Sequence, residues 1–293
     1  MAHPRAAAAR EVWTLAEPLH AVTYFSPEPL AALRSAGCRG FWMGYFAGRA
    51  APLGAASPEL VHALFHNFAF AQVARALPDA WSFATPAAAL EARLTGSVAT
   101  LARVLGDADV SRAADLAARA GTTAPLEGRA LYAANRALPV PDAPLARLWH
   151  AVTLLREHRG DGHVAALTVA GVGGREAHVL HALATGTPVA VYETARSFTA
   201  EEWTSVLDGF RSRGLVDTSD ALTTTGRTLK RTVEEQTDEL AAPALDALTD
   251  DEVAELVALL RPLAAAVVAA GEIPAQSPMG LDLTKVSPAP PPA

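Results

Sequence analysis

The chain has one cysteine, Cys38, so an internal disulfide is excluded, and so is a site built on several thiolates. Lysine is almost missing as well. Lys230 and Lys285 are the only two, and arginine supplies the rest of 24 basic residues, set against 31 acidic ones. The resulting net charge of −7 argues against a surface broadly made to cover nucleic acid, although a local basic patch is compatible with it. No apolar run reaches the ~20 residues that a membrane-spanning helix needs. The apolar stretch at 40–48 is bracketed by Arg39 and Arg49, and no membrane partner is expected. The opening MAHPRAAAAR has no continuous apolar segment before Glu11. With the lone cysteine, this sets the expected location as cytoplasmic. HExxH, CxxC, P-loop, nucleophile-elbow and dinucleotide fingerprints are all absent, and VAGVGGRE at 169–176 has no preceding strand to make it a phosphate loop.

What is present is mostly helix punctuation. Apolar spacing predicts helices from about Arg10 to Tyr24 and over Pro27 to Ser35, then a glycine-bearing one at 40–48. Ser57-Pro58-Glu59 and Thr85-Pro86 read as caps opening further helices. The proline-rich 138–144 stretch marks the best boundary, between a helical domain at 1–140 and a second domain at 141–273. In the second domain Leu145 to Leu155 reads as a helix, REHRGDGHV as a break in it, and AALTVAG as its resumption. Thr199 with Glu202 forms a capping box for a helix to Ser212. LVDTSDALTTTG has the β-branched, turn-rich look of a small hairpin, and TPVAVYETARS looks like a poor helix. Two long helices, 225–248 and 250–270, close the fold, and 274–293 is expected to be a disordered tail.

SFTAEEWTSVLDGFRSRGLVD followed by ALTTTGRTLKRTVEEQTDEL and DDEVAELVALLRPL resembles the winged-helix core and C-terminal helices of MarR-type regulators. Together with EPLHAVTYF, RGFWMGYFAGRAAPLG and LREHRGDGHVAAL, the chain to about residue 273 resembles an actinobacterial helix-turn-helix family that has no assigned ligand or reaction. The resemblance implies a mainly α fold, a β-hairpin wing, and a homodimer formed through the two C-terminal helices. It also implies DNA as a partner, but the residues run against that. The recognition helix would present Glu201, Glu202 and Asp208 before Arg211 and Arg213, and the wing would present Asp217 and Asp220, which repel phosphate.

Candidate chemistry falls in two places. Gly40, Gly44 and Gly48 would stack into a bare stripe at a cost of roughly 0.8–1 kcal/mol each, which suggests close approach by another helix or a flat ligand. Beside it stand Trp42, Tyr45 and Arg49, with His20 and Tyr24 sharing a face of the first helix and His66 downstream. These would furnish the aromatic wall and few polar groups of a small-molecule pocket, Arg49 and His20 suiting an anionic or carbonyl-bearing ligand, or they would simply fill a core. The second place is 156–163, where Arg156, His158, Asp161 and His163 sit between apolar flanks and make either a structural charge network or a ligand site. Histidines also gather at 150, 178 and 181, and His62 with His66 has a ligand-like spacing. No spacing commits them to a metal or haem, and the cofactor stays open. The favoured partner is a small-molecule ligand.

Overall fold

The computed structural model describes residues 3–286. Its fifteen α-helices run in the order α1 Ala6–Phe25, α2 Pro27–Ser35, α3 Gly40–Ala50, α4 Pro58–Phe65, α5 Phe70–Ala74, α6 Ala80–Phe83, α7 Pro86–Leu105, α8 Ser111–Thr123, α9 Ala130–Arg136 and α10 Pro144–Val169. Then come α11 Gly174–Thr185, α12 Val189–Arg196, α13 Ala200–Ser212, α14 Thr224–Ala241 and α15 Asp250–Ala269. The local signals work as expected where they are chemical. Ser57, Thr85, Thr199 and Thr249 each accept a backbone N–H of the first helical turn. Thr199 and Thr249 add the reciprocal glutamate of a capping box.

Helices α1 and α10 lie side by side at the centre. α10 is further enclosed by α7, α8, α9 and α14, and α1 by α2, α7, α14 and α15. Both are therefore buried on most sides, which explains why neither shows the single apolar stripe of a surface helix. One apolar cluster joins residues from both ends of the chain, from Val12, Leu15 and Leu19 to Leu256, Leu260 and Val267. Among the described residues, no helix is long and apolar enough to cross a membrane.

Four expectations are corrected. REHRGDGHV does not break a helix but occupies the interior of α10, which runs unbroken for 26 residues. Its polar residues look loop-like in sequence because their partners come from other helices. Gly162 is there because a Cβ would lie 2.7 Å from Nη1 of Arg129 and 3.1 Å from Cβ of Leu240. Arg129 uses that opening to donate to the carbonyls of His158 and Leu240, both at 2.6 Å. Second, no hairpin wing forms among the described residues. One antiparallel bridge pairs Val216 with Leu222, while Asp217 accepts from the N–H groups of Ser219 and Ala221 and holds a tight turn. Third, TPVAVYETARS contains a helix after all, α12, with Pro188 outside it as N-cap. Fourth, the segment after Ile273 is not loose as far as it is described. Met279 and Leu283 pack against the main cluster and Val286 is fully buried in it, while residues 287–293 lie outside the described part.

No close approach of a neighbouring helix requires the glycine stripe. Gly44 and Gly48 face Leu33 of α2, and a Cβ at either would meet it at ordinary contact distance, 3.5–3.6 Å. Gly40 opens the helix at φ +77°. The C-terminal helix has its apolar face covered within the chain, by α1, α7 and α8. That face is the one a homodimer through the C-terminal helices would use.

Candidate functional site

The side of α3 away from the glycines carries the aromatics, and it closes one wall of a cavity of about 480 Å³. Tyr24 and Phe25 of α1, Phe41, Trp42 and Tyr45 of α3, and Phe65 and Phe68 of the α4–α5 region line it. Tyr45 stacks within 4.9–5.6 Å of Tyr24, Trp42 and Phe68, a network of tilted and edge-on rings. The floor is the polar face of α10: Arg156, Arg159, Gly160, Asp161 and His163. The far wall comes from α11, α12 and α14 through His178, His181, Arg196, Lys230 and Glu234, and Pro278 to Gly280 of the C-terminal segment lie across it. The cavity thus sits between α1 and α3 on one side and α11, α12 and α14 on the other, with α10 beneath, where the 40–49 and 156–163 segments meet.

The charged groups are unevenly matched. Glu157, 2% exposed, accepts from Arg49 Nε and Nη2 at 3.3 Å each and from Arg156 Nη1 at 2.7 Å. Burial pushes the Glu157 carboxyl up, but Arg156 and then Arg49 outweigh it and hold the group at about 2. Arg156 also reaches Glu17 at 3.5 Å, and Glu17 accepts from Trp13 at 3.2 Å. Arg159 lies 2.7 Å from Asp238, an ion pair without hydrogen-bond alignment, and Lys230 pairs with Glu234. Arg196 has no carboxylate among the described residues. Its Nε points at Nε2 of His178 at 3.2 Å, Nη1 donates to the carbonyl of Ala195 at 2.8 Å, and the guanidinium lies 4.3 Å over the ring of Phe68. Burial, and the positive charges of Arg49 and Arg156, bring its pKa down to about 10. It remains a cation.

Neutral hydrogen-bonded groups frame the rest. Thr153 donates to the carbonyl of Trp149, so His20 Nδ1–H donates to Thr153 at 2.9 Å. His20 Nε2 then accepts the Tyr24 hydroxyl at 3.0 Å. Burial keeps His20 well below its ordinary pKa and raises Tyr24, so both stay neutral. By the same logic His163 Nδ1–H donates to Thr237 at 2.8 Å, because Thr237 gives its own proton to Val233. Burial takes His163 down to about 4. Asp161 accepts the N–H of Tyr132 at 2.9 Å, yet burial lifts it to about 6. It is the lining acid closest to neutrality.

Seven sequence candidates therefore meet at one cavity: Tyr24, Trp42, Tyr45, Arg49, Arg156, Asp161 and His163. Three do not line it. His20 stands behind Tyr24 and stacks on Trp149 at 5.9 Å. His158 faces Tyr132 edge-on at 5.0 Å and is lowered by burial to about 3. His66 terminates α4 at φ +51°. Sequence reasoning missed Arg196, Glu17, Phe68 and Lys230, whereas Arg159 belongs to the charged 156–163 run that it singled out. Arg196 carried a usable signal, a lone arginine at the end of an apolar-faced segment, but the presence of Pro188 obscured the helix. No group of three or more His, Cys, Asp or Glu residues is placed to hold a metal among the described residues, and the paired histidines at 178 and 181 diverge: one bonds Arg196, the other faces Gly280.

Helix α13, in the recognition position of the resemblance, exposes Glu201, Thr204, Ser205 and Asp208. The nearby cations are engaged. Arg211 pairs with Asp208 and Asp220, Arg213 with Glu176 at 3.0 Å, and Arg175 with Glu202 at 2.8 Å.

Compared with known proteins, the chain matches no curated protein and no solved structure. A family described as the helix-turn-helix family matches residues 9–274. With that match spanning nearly the whole chain, and with helices throughout, this protein belongs to the helix-turn-helix family.

Proposed function

We propose that the protein binds a small organic molecule in the cavity between α1 and α3 on one side and α11, α12 and α14 on the other. The observation that carries this reading is the cavity itself: about 480 Å³ walled by stacked aromatic rings on one side and arginines on the other. That volume is in the range of small-molecule sites, which are apolar in the main with a few placed polar groups. Native mass spectrometry of the purified protein beside the denatured chain, with an absorption spectrum of each, tests it. A released small molecule supports the reading. An apo mass that stays unchanged after incubation with a library of aromatic acids and alcohols refutes it.

A second reading, a ligand-responsive DNA-binding regulator, is favoured by family membership and by α12. Thr194, Ala195 and Arg196 of α12 line the cavity, so an occupant bears directly on the helix that precedes α13. The acidic exposed face of α13 counts against it, because phosphate contact supplies most of the affinity of such proteins. A mobility-shift assay with DNA from the protein's own locus, at physiological salt, separates the two.

A further inference from the structure

The two halves of the chain repeat one order of helices. A long helix (α1, α10) is followed by a shorter one (α2, α11), then by a helix with an arginine in its last turn (α3, α12). Next comes a helix capped by Ser57 or Thr199 with acids in its first turn (α4, α13). A long helix capped by Thr85 or Thr223 (α7, α14) and a further helix (α8, α15) complete each set, while α5, α6 and α9 of the first half have no counterpart. The packing of the long helices repeats with it. α1 lies on α15 as α10 lies on α8, α1 meets α14 as α10 meets α7, and α1 pairs with α10 as α8 pairs with α15. This is the contact pattern of a two-fold dimer, drawn in one chain. In such a pattern each protomer's first helix lies on the other's last matched helix.

The repeat reaches the cavity. Tyr45 and Arg49 of α3 correspond to Tyr192 and Arg196 of α12, the same tyrosine-to-arginine spacing at the same end of the helix. Both arginines line the cavity, and both lie over a phenylalanine, Arg49 over Phe65 at 4.0 Å and Arg196 over Phe68 at 4.3 Å. They differ in one respect. α10 gives Arg49 the carboxylate of Glu157, whereas the only acid that α1 places on the cavity, Glu17, serves Arg156 and Trp13. Arg196 is left with a histidine nitrogen and a carbonyl, and its Nη2 bonds to no described residue.

We infer that the chain is a fused pair of helix-turn-helix units and that Arg196 is the open member of a matched arginine pair, taking the carboxylate of an aromatic or apolar organic acid where Arg49 takes Glu157. Arg49 and Arg156 share the two carboxylates Glu17 and Glu157, and Arg196, the third arginine of the lining, pairs with neither. A partly buried cation without a counter-ion is costly, and a bidentate carboxylate offsets the cost. The aromatic wall then receives the ligand's body. This inference rests on the ligand-binding reading above.

Isothermal titration calorimetry with 2-naphthoate and its neutral counterpart 2-naphthalenemethanol tests it on the full chain. The wild-type protein is expected to bind the acid at least tenfold more tightly than the alcohol. Arg196→Gln is expected to abolish that preference, and an unchanged helical circular-dichroism spectrum reports that the variant is folded. Arg196→Lys is expected to keep part of the preference. Equal binding of acid and alcohol by the wild type, or a preference that survives Arg196→Gln, overturns the anion assignment and leaves the cavity reading standing. Binding of neither probe up to its solubility overturns both. The fused-pair reading has its own check: sedimentation is expected to give a monomer, and a dimer disrupted by charges placed on α15 overturns it.

Discussion

Replacing Glu157 by glutamine removes the one negative charge that Arg49 and Arg156 share while keeping its shape and much of its hydrogen bonding. The magnitude follows from the site. A carboxyl held at about 2 instead of the ordinary 4.5, against the upward push of burial, by Arg156 and Arg49 is favoured as carboxylate by about 3 kcal/mol, at about 1.36 kcal/mol per pH unit of displacement. That agrees with the roughly 3–5 kcal/mol lost when one partner of a buried ion pair is removed. Because the folded-state pKa is depressed, the stabilisation is fully present above the unfolded value and is lost as pH falls through 4.5 toward 2. Urea denaturation at pH 7 is therefore expected to place Glu157→Gln about 3 kcal/mol below the wild type. At pH 3.5 the gap is expected to narrow by about 1 kcal/mol, as the wild-type carboxyl loses its advantage. A loss below about 0.5 kcal/mol at pH 7, or a gap that does not change with pH, would refute the reasoning. Either result would mean that Arg49 and Arg156 are solvated well enough not to need the carboxylate.

Gly174→Ala places a Cβ 1.8 Å from the carbonyl oxygen of His66, backbone against backbone where α11 meets the end of α4, and is expected to cost at least about 2 kcal/mol in thermal or chemical denaturation. Gly209→Ala on α13 meets nothing within 4 Å and is expected to stabilise by up to about 1 kcal/mol; a common loss in both variants contradicts the packing. Acidification from pH 7 to pH 5 is expected to destabilise the fold, since burial depresses His150 to about 4 and His158 to about 3. Each group then loses about 2 kcal/mol as the unfolded chain takes up protons below 6.5. Asp161, raised by burial to about 6, works the other way and recovers about 1 kcal/mol; a melting temperature that rises on acidification would mean that the acid prevails. Trp42→Ala removes a wall of the cavity, whereas Trp81, which donates to the Ala56 carbonyl at 3.0 Å outside it, serves as control. Only the first is expected to weaken binding of 2-naphthoate, by roughly 10-fold or more for a lost aromatic contact.

Local chemistry made much of the helix inventory legible. Proline at N1, a hydroxyl cap and a glutamate three residues on act within one turn, so Ser57, Thr85 and Thr199 announce their helices without knowledge of the rest of the molecule. The aromatic face of α3 and the charged run at 156–163 were also visible, because large rings beside glycines and packed charges between apolar flanks both need partners. The identity of those partners was not visible. Whether 156–163 breaks a helix or crosses the core depends on Arg129, Asp238 and Arg49, residues far away in sequence that neutralise it.

Propensity misjudged α12 for the same reason: its tyrosine is wholly buried by packing that a local reading cannot see. The sequence by itself determined a helical chain with too few cysteines for a disulfide frame and a capped helix, α13, that is acidic on its exposed face. Tertiary structure alone decided that Tyr24, Trp42, Arg49, Arg156 and Arg196 share one cavity, and that Arg196 is the lining cation that meets no carboxylate among the described residues. Charge balance in a buried site is a sum over neighbours in space, and order along the chain does not fix those neighbours.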